Sequence, residues 1–248
     1  MRHVFTLLAL VLALLAVGCG GDDEASTTTT TTTEPAESAE VRVYWLLEGK
    51  VWPARREVET EDGVASAALD ALLEGPTDQE AITTAVPEDA DDADVTLEDG
   101  VAAVEIEAEL SEEARAQVVY TLTQFPTVDS VELDGRTYTR ADFEDVTPAI
   151  LVESPLPFEE VGSPLRVTGT ANTFEATFEY ELTDTDGRIV DENFVTATSG
   201  SGTRGTFDFT TDPYTVSFEG VGSLIVYESS AKDGSRINLV EIPLRMTP

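Results

Sequence analysis

The chain of 248 residues has one cysteine and one histidine, and both lie near its start. A cysteine thiolate is a nucleophile and a metal ligand, and histidine is the side chain that most often exchanges a proton near neutral pH. The positions of Cys19 and His3 therefore decide which chemistry the rest of the chain retains. Cys19 stands between an apolar run and a threonine tract, in LLAVGCGGDDEASTTTTTTTEP at 14–35.

The residues before Cys19 are typical of a secretory signal. Arg2 is basic, and the apolar stretch that follows is shorter than the ~20 residues needed to span a bilayer. The segment LAVGC at 15–19 resembles a bacterial lipobox, in which the cysteine is acylated and becomes the new N-terminus. The resemblance implies a lipoprotein signal peptide over 1–18 and lipidation at Cys19. Because two acyl chains anchor stably, we expect a protein lipid-anchored on the outer face of the bacterial cytoplasmic membrane. The alternative is an ordinary signal with a chance cysteine.

Export would also remove the two side chains on which several classes of catalytic and metal site depend. His3 leaves with the signal and Cys19 is consumed by lipid, so the exported chain keeps neither an imidazole nor a free thiol. This excludes Ser-His-Asp and Cys-His catalysis, and it excludes HExxH and Cys/His zinc sites. We predict that the protein is not an enzyme, with no catalytic residues, no cofactor and no metal ligands.

Residues 19–40 contain almost no large apolar side chain. Such a segment cannot bury enough surface to offset the entropy of ordering, so we predict a lipidated cysteine followed by a disordered, Thr-rich stalk. The tract Thr27–Thr33 is also typical of glycosylated stalks.

Two acidic stretches suggest cation binding. EDADDAD at 88–94 has five carboxylates, and calcium takes six to eight oxygen ligands, but the spacing of a calcium-binding loop is missing. DTDGRIVDE at 184–192 begins like such a loop but has Arg188 where a third ligand belongs. We therefore predict a solvated acidic loop for the first stretch and a hairpin turn for the second.

Two hydrolase patterns are also weak. Ser229–Lys232 spells S-x-x-K, but it runs from a predicted strand into an Asp-Gly turn, so the helix that would bring the lysine to the serine is missing. A glycosidase needs two carboxylates facing each other across a cleft, and neither predicted domain has an insertion long enough to build one.

The balance of 49 acidic against 14 basic residues gives a formal net charge of -35. Nucleic acid phosphates and anionic lipid headgroups repel such a surface, so we expect no nucleic acid partner. The charge serves either solubility or a cationic partner.

Residues 41–147 contain both strand and helix patterns. Two hairpins are predicted, with turns at Glu48-Gly49 and Asp99-Gly100, and a further strand is predicted at 128–133. The first predicted helix contains Ala68, Leu69 and Leu72 and ends at Gly75-Pro76. The second is capped by Ser111 and has a buried stripe of Ala114, Val118, Leu122 and Phe125. A sheet on one side and two helices on the other make an α+β domain.

This domain resembles the GerMN domain of spore germination proteins. The similar segments are ALDALLEGPT at 68–77, TAVP at 84–87, VAAVEIEAEL at 101–110 and QVVYTLTQFPTVDSVELDG at 117–135. The resemblance implies a non-catalytic domain of envelope lipoproteins, related in fold to ring-building modules.

Residues 148–248 contain strand patterns only. FEATFEYEL at 174–182 alternates, with Phe174, Ala176, Phe178, Tyr180 and Leu182 predicted inward and the glutamates outward. Further strands are predicted at 165–169, 189–196, 206–209, 214–218, 224–227 and 237–244, with turns at Asp186-Gly187 and Asp233-Gly234. About seven strands without a helix predict a β-sandwich.

This half resembles Gmad2, the immunoglobulin-like domain of bacterial spore germination. The similar segments are SPLRVTGTANTFEA at 163–176, RGTF at 204–207 and YESSAKDGS at 227–235. The resemblance implies an all-β immunoglobulin-like sandwich.

Together these features favour a membrane-anchored scaffold of a cell-envelope assembly, with envelope proteins or a second copy of the chain as partners. The alternatives are a cell-wall polymer or sugar-binding module, for which Trp45 and Trp52 could stack on a sugar, and a carboxylate-based hydrolase. Both tryptophans are predicted to pack under the helices instead.

Overall fold

The computed structural model describes residues 37–61, 63–77, 81–90 and 93–248. The predicted signal peptide, Cys19 and the Thr27–Thr33 tract lie outside these residues. The described residues belong to one compact unit with two separate apolar cores, one for each predicted domain. None of the described helices is long and apolar enough to cross a membrane.

The first two strands, β1 (Ser38–Leu47) and β2 (Lys50–Glu59), form the predicted hairpin. Glu48 and Gly49 both have positive φ, 52° and 77°, which suits the two-residue turn that matches the twist of paired strands. β1 begins upstream of Val41, so its first residues lie in the segment for which a stalk was predicted.

The second sheet has four strands in the order β3-β4-β5-β6: β3 (Ala93–Glu98), β4 (Val101–Ile106), β5 (Ser130–Leu133) and β6 (Arg136–Tyr138). β4 and β5 run parallel, and the other neighbours are antiparallel. The α+β class is confirmed, but the strands form two sheets, since the first hairpin makes a sheet of its own.

Two helices cover these strands, α1 (Val64–Leu73) and α2 (Glu112–Leu122). The Ala114 N–H donates to Ser111 Oγ at 3.1 Å, which confirms the predicted cap. Val118 and Leu122 are fully buried, as predicted, whereas Phe125 lies beyond the end of α2 and is partly buried against the same core.

A second buried stripe on this helix and the turn after it is polar and was not predicted. Gln117 Nε2 donates to the Tyr44 carbonyl oxygen at 3.2 Å, and the Tyr44 N–H donates to Thr121 Oγ1 at 3.1 Å. The Arg42 N–H donates to Gln124 Oε1 at 2.9 Å. These side chains bond to backbone groups along the edge of β1 that would otherwise need a neighbouring strand. The buried backbone groups of that edge therefore have hydrogen-bond partners.

The second domain is the predicted β-sandwich. It consists of β7 (Ile150–Ser154), β8 (Glu160–Val161), β9 (Arg166–Ala171), β10 (Thr177–Thr183), β11 (Ile189–Thr196), β12 (Gly205–Thr210), β13 (Gly220–Ser229) and β14 (Arg236–Met246). One sheet has the order β11-β10-β13-β14-β8 and the other the order β12-β9-β7.

Aromatic rings from both sheets fill the sandwich. Phe178 and Phe207 meet edge to face with centroids 4.9 Å apart, and Tyr180 stacks on Phe209 at 4.6 Å. The two sheets are therefore joined by specific ring contacts as well as by aliphatic packing.

Two predictions in this domain are wrong. The segment 214–218 is not a strand; Tyr214 and Val216 alternate because they anchor a loop, where the Tyr214 hydroxyl donates to the Gly162 carbonyl oxygen at 2.8 Å. Phe174 lies in a 3₁₀ turn before β10 and is 59% exposed. Glu181 lies on the outer face, as predicted, but it is buried there because Arg236 pairs with it and the Tyr227 hydroxyl donates to it.

Candidate interaction site at the domain junction

The junction of the two domains is built around Glu153 at the end of β7. The Tyr44 hydroxyl on β1 donates to its carboxylate, and Arg140 Nη1 donates to the same oxygen at 2.7 Å. Arg140 lies in the 3₁₀ segment Arg140–Val146, whose first turn is fixed by a reciprocal capping box between Thr139 and Asp142. Side chains of the first domain thus bind a carboxylate of the second.

Arg140 also contacts the helix face behind it. Its Nε donates to Thr123 Oγ1 at 2.7 Å, and its guanidinium carbon lies 4.7 Å from the centre of the Tyr120 ring. A guanidinium has five N–H donors in a planar fork, so one arginine can donate to several acceptors at once. The arginine therefore connects α2, the 3₁₀ segment and β7.

Burial and charge have opposite effects on the Glu153 carboxyl. Burial raises the pKa of Glu153, but the charge of Arg140 and the hydrogen bonds from Tyr44 and Arg140 outweigh it, so the pKa lies below its usual value. Burial, together with the Glu153 charge, raises the pKa of the Tyr44 hydroxyl. At neutral pH the site holds an ionised carboxylate and a neutral phenol.

A second ion pair closes the other side of the junction. Arg204, in the loop before β12, donates from Nε and Nη2 to the two oxygens of Glu144, each at 2.9 Å. Arg204 also donates to the Pro148 carbonyl oxygen at 2.8 Å, and Asn172 Nδ2 donates to Glu144 at 2.8 Å. Burial raises the pKa of Glu144, but the hydrogen bonds from Arg204 and Asn172 outweigh it, so the pKa lies below its usual value.

Two grooves lie on either side of Trp52, where the first hairpin meets the sandwich. The first has a volume of about 450 Å³ and is lined by residues of the hairpin tip, the segment between the domains and β14, among them Lys50, Pro148, Asn238 and Leu239. The second has a volume of about 410 Å³ and a more apolar lining, including Ile82, Pro157, Phe158 and Pro243. Trp52, Leu47 and Glu241 belong to both.

The two tryptophans have different roles. Trp45 is fully buried in the first core, and the Arg56 guanidinium stacks on it at 4.1 Å. Trp52 is partly buried and packs against the core of the second domain. The prediction that both pack under the helices is therefore wrong for Trp52, because its strand reaches the sandwich.

The two acidic stretches that could have bound a cation have different outcomes. Among the described residues, no group of three or more acidic, histidine or cysteine side chains could hold a metal ion. Asp91 and Asp92 lie outside those residues, so the solvated-loop interpretation of 88–94 stays a prediction. The stretch 184–192 is the predicted hairpin turn, in which Asp184 Oδ1 accepts the N–H groups of Asp186 and Arg188, both at 2.9 Å.

The S-x-x-K stretch is confirmed as a strand end followed by a turn. Ser229 is the last residue of β13 and donates from Oγ to Glu179 Oε1 at 2.9 Å. Lys232 lies in the turn before β14. Cys19, the only site residue the sequence nominated, lies outside the described residues.

The functional residues that sequence reasoning missed are the junction partners themselves. Tyr44 and Glu153 are 109 positions apart, and Glu144 and Arg204 are 60 apart. The only local signal was an acidic residue among the apolar residues of β7, in ILVES at 150–154. A charged residue at the end of an apolar strand indicates a partner, although it does not name one.

Comparison with known families gives two matches. Residues 42–139 match the Germane family, described as sporulation and spore germination. Residues 149–235 match the Gmad2 family, described as the immunoglobulin-like domain of bacterial spore germination. No curated protein and no solved structure matches the chain.

Proposed function

We propose that this chain, which joins a Germane domain to a Gmad2 domain, is a lipid-anchored, non-catalytic scaffold subunit of a cell-envelope assembly. The two families support a function associated with spore germination. The junction is the observation that carries the scaffold role. Arg140 with Glu153 and Arg204 with Glu144 hold the domains together, so the two domains present their surfaces to a partner as one body.

The chemistry of the junction supports a structural role. A general acid needs a carboxyl whose pKa is raised toward the working pH. Glu153 and Glu144 both have lowered pKa values and arginine partners, so they remain ionised and already bonded. Their charge is used for docking the domains.

Lipid at Cys19 would place this body close to the membrane. The chain between Cys19 and Ser38, even if fully extended, allows a separation of roughly 70 Å between the lipid and β1. Contacts would therefore be limited to components of the layer next to the membrane.

The test is site-specific photo-crosslinking in cells with the full lipidated chain. A photoreactive residue replaces Leu239, which is 51% exposed in the first groove, and in the control it replaces Phe218, which is 49% exposed outside both grooves. The scaffold role predicts one or two envelope proteins, or a ladder of the chain itself, from the Leu239 position. Equal products from both positions would contradict a role for the groove.

A cell-wall polymer is the second candidate ligand, favoured by Trp52. An indole that lines two open grooves beside Asn238 and Glu241 resembles an aromatic platform for a sugar ring. Retention of the full chain on purified peptidoglycan, lost in Trp52→Ala and kept in Phe218→Ala, would favour this candidate over the scaffold. If crosslinking recovers only cell-wall fragments, the scaffold role is wrong.

A further inference from the structure

Strand β11 forms one edge of the five-stranded sheet. It pairs with β10 along its inner side, and no described strand pairs with its outer side. An edge strand presents unpaired N–H and C=O groups to which another extended chain can bond. Natural edges are usually protected by lysine, proline or a covering loop.

The register shows which backbone groups face outward. The Ala197 N–H donates to the Ala176 carbonyl oxygen at 2.8 Å, just beyond the pair Thr177↔Thr196. Because bonded pairs alternate along an antiparallel ladder, Glu192 and Phe194 direct their backbone groups away from β10, as does Thr196.

One of these outward donors is already occupied. The Phe194 N–H donates to Asn193 Oδ1 at 2.9 Å. The N–H groups of Glu192 and Thr196, and the outward carbonyl oxygens, face solvent on strand residues that are themselves exposed. A short extended segment could therefore pair with this edge without displacing any strand.

The edge of the other sheet differs. On β12, the Thr206 N–H donates to Thr198 Oγ1 at 2.9 Å, and the Thr206 carbonyl oxygen accepts the Thr198 N–H at 2.9 Å. Its neighbour Asp208 pairs with Arg166. The β12 edge is polar and partly capped, so it is not equivalent to the β11 edge.

The side chains of β11 are apolar and acidic. Phe194 is 68% exposed, the highest exposed fraction among the large apolar residues described, and Ile189 is 49% exposed. The segment 174–196 has seven acidic residues, one basic residue, and neither lysine nor proline. That basic residue, Arg188, lies 3.1 Å from Asp186 and is thereby paired. The edge is therefore without lysine, proline or a further described strand, and it has a strong negative charge.

We infer that β11 binds an extended, basic segment of a partner protein by strand addition. The added strand would place an apolar side chain opposite Phe194 and, on the same face, a lysine or arginine opposite Glu192, since cross-strand neighbours interact directly. This inference does not depend on the scaffold function, because the edge lies on the sandwich itself.

A second copy of this chain is a poorer occupant. Pairing β11 with itself would bring two acidic edges together, in chains that each have a formal charge of -35. Like charges opposed across a strand pair are destabilising. Charge complementarity favours a cationic partner.

The test uses the full chain and a short synthetic peptide with the repeat Val-Thr-Lys-Thr, which places valine and lysine in turn on one face of an extended strand, with binding measured by fluorescence anisotropy. The peptide should bind, less tightly as salt is raised. The same peptide with alternate backbone nitrogens methylated should not bind, because it cannot form the ladder. Amide exchange at Glu192 and Thr196 should slow in the complex.

Matched proline variants separate the two edges. Glu192→Pro removes an outward donor of β11 and should weaken peptide binding by about tenfold or more. Thr210→Pro removes an outward donor of β12 and should leave binding unchanged. Should Glu192→Pro fail to fold, Phe194→Lys keeps every backbone donor and must weaken binding of the lysine peptide by charge repulsion and loss of the ring.

Several results would overturn the inference. The inference is wrong if the unmodified peptide does not bind. It is also wrong if the methylated peptide binds equally well, or if Thr210→Pro weakens binding as much as Glu192→Pro does. Either of these two results would indicate adsorption by charge alone. A concentration-dependent dimer of the full chain that Glu192→Pro abolishes would assign the edge to a second copy instead.

Discussion

The Tyr44 hydroxyl in the first domain donates its hydrogen to Glu153 in the second, so a side chain of the first core reaches across the domain junction. Tyr44 is fully buried and its ring lies 5.4 Å from that of Tyr120 on α2. The first core therefore fixes the position of the Tyr44 ring, and only its hydroxyl reaches the second domain. This bond adds to the two ion pairs that cross the junction.

Glu153→Gln should destabilise the protein by about 2–3 kcal/mol, because it leaves Arg140 partly buried without its counter-charge. Urea unfolding followed by circular dichroism measures this loss. The exposed Glu219→Gln serves as a control and should change the free energy of unfolding by less than about 0.5 kcal/mol. Equal effects of the two substitutions would contradict the structural role of Glu153.

The contribution of Glu153 should also depend on pH. Its pKa is lowered in the folded protein, so the stability it contributes is complete above the unfolded value of about 4.3 and is lost as pH falls through the lower folded value. The difference in unfolding free energy between the native protein and Glu153→Gln should therefore shrink as the solution is acidified below about pH 4. A difference that stays constant with pH would show that the charge of Glu153 does not matter.

Gln117→Leu should cost about 2–3 kcal/mol, even though leucine is apolar and of similar size. The Tyr44 carbonyl oxygen and the Ala85 N–H, which donates to Gln117 Oε1 at 2.7 Å, both lose their partner. Glu112→Gln, on the exposed start of the same helix, should cost only a few tenths of a kcal/mol through the helix dipole. Thermal and urea unfolding should rank the two variants in this order.

Gly169→Ala should be strongly destabilising, by about 3 kcal/mol or more. A Cβ at this position would lie 2.0 Å from the Leu151 carbonyl oxygen on β7 and 2.6 Å from the Phe207 ring. Gly162→Ala is the matched control, since a Cβ there meets nothing within 4 Å. Unfolding measurements that give similar losses for both would indicate that β7 and β9 are less closely packed than the structure has them.

Cys19→Ala should move the protein from the membrane fraction to the supernatant, because the cysteine is the acylation site that the lipobox-like segment predicts. Ser26→Ala, which leaves that segment intact, should keep it in the membrane. Fractionation followed by immunoblotting distinguishes the two. Retention of Cys19→Ala in the membrane would mean that something other than lipid at this residue anchors the chain.

Local patterns predicted most of the elements. Turns such as Glu48-Gly49 and Asp99-Gly100, between alternating strands, have the positive φ values that their residue types favour, and Ser111 caps α2 as its sequence predicts. The alternation of Tyr214 and Val216 was misleading, since a loop that buries every second side chain has the same pattern as a strand.

The contacts between distant residues could not be predicted. Gln117, Thr121 and Gln124 recur at helical spacing, but the polar stripe they form is explained only by the edge of β1. The pairing of Arg204 with Glu144 depends on how a sandwich loop meets a 3₁₀ segment of the other domain. Because the chain has 49 acidic residues, charge alone could not predict which of them pairs with Arg204.

The position of the hairpin β1–β2 has a mechanical consequence. The hairpin contacts the second domain through Arg42, Tyr44, Trp52 and Arg55, in its middle and toward its turn, whereas β1 begins at Ser38 at the opposite end. Tension applied through the N-terminus would run along the length of β1. It would load the pairs from Ser38↔Glu59 to Tyr44↔Pro53 in shear, so their backbone bonds would resist together rather than break one after another.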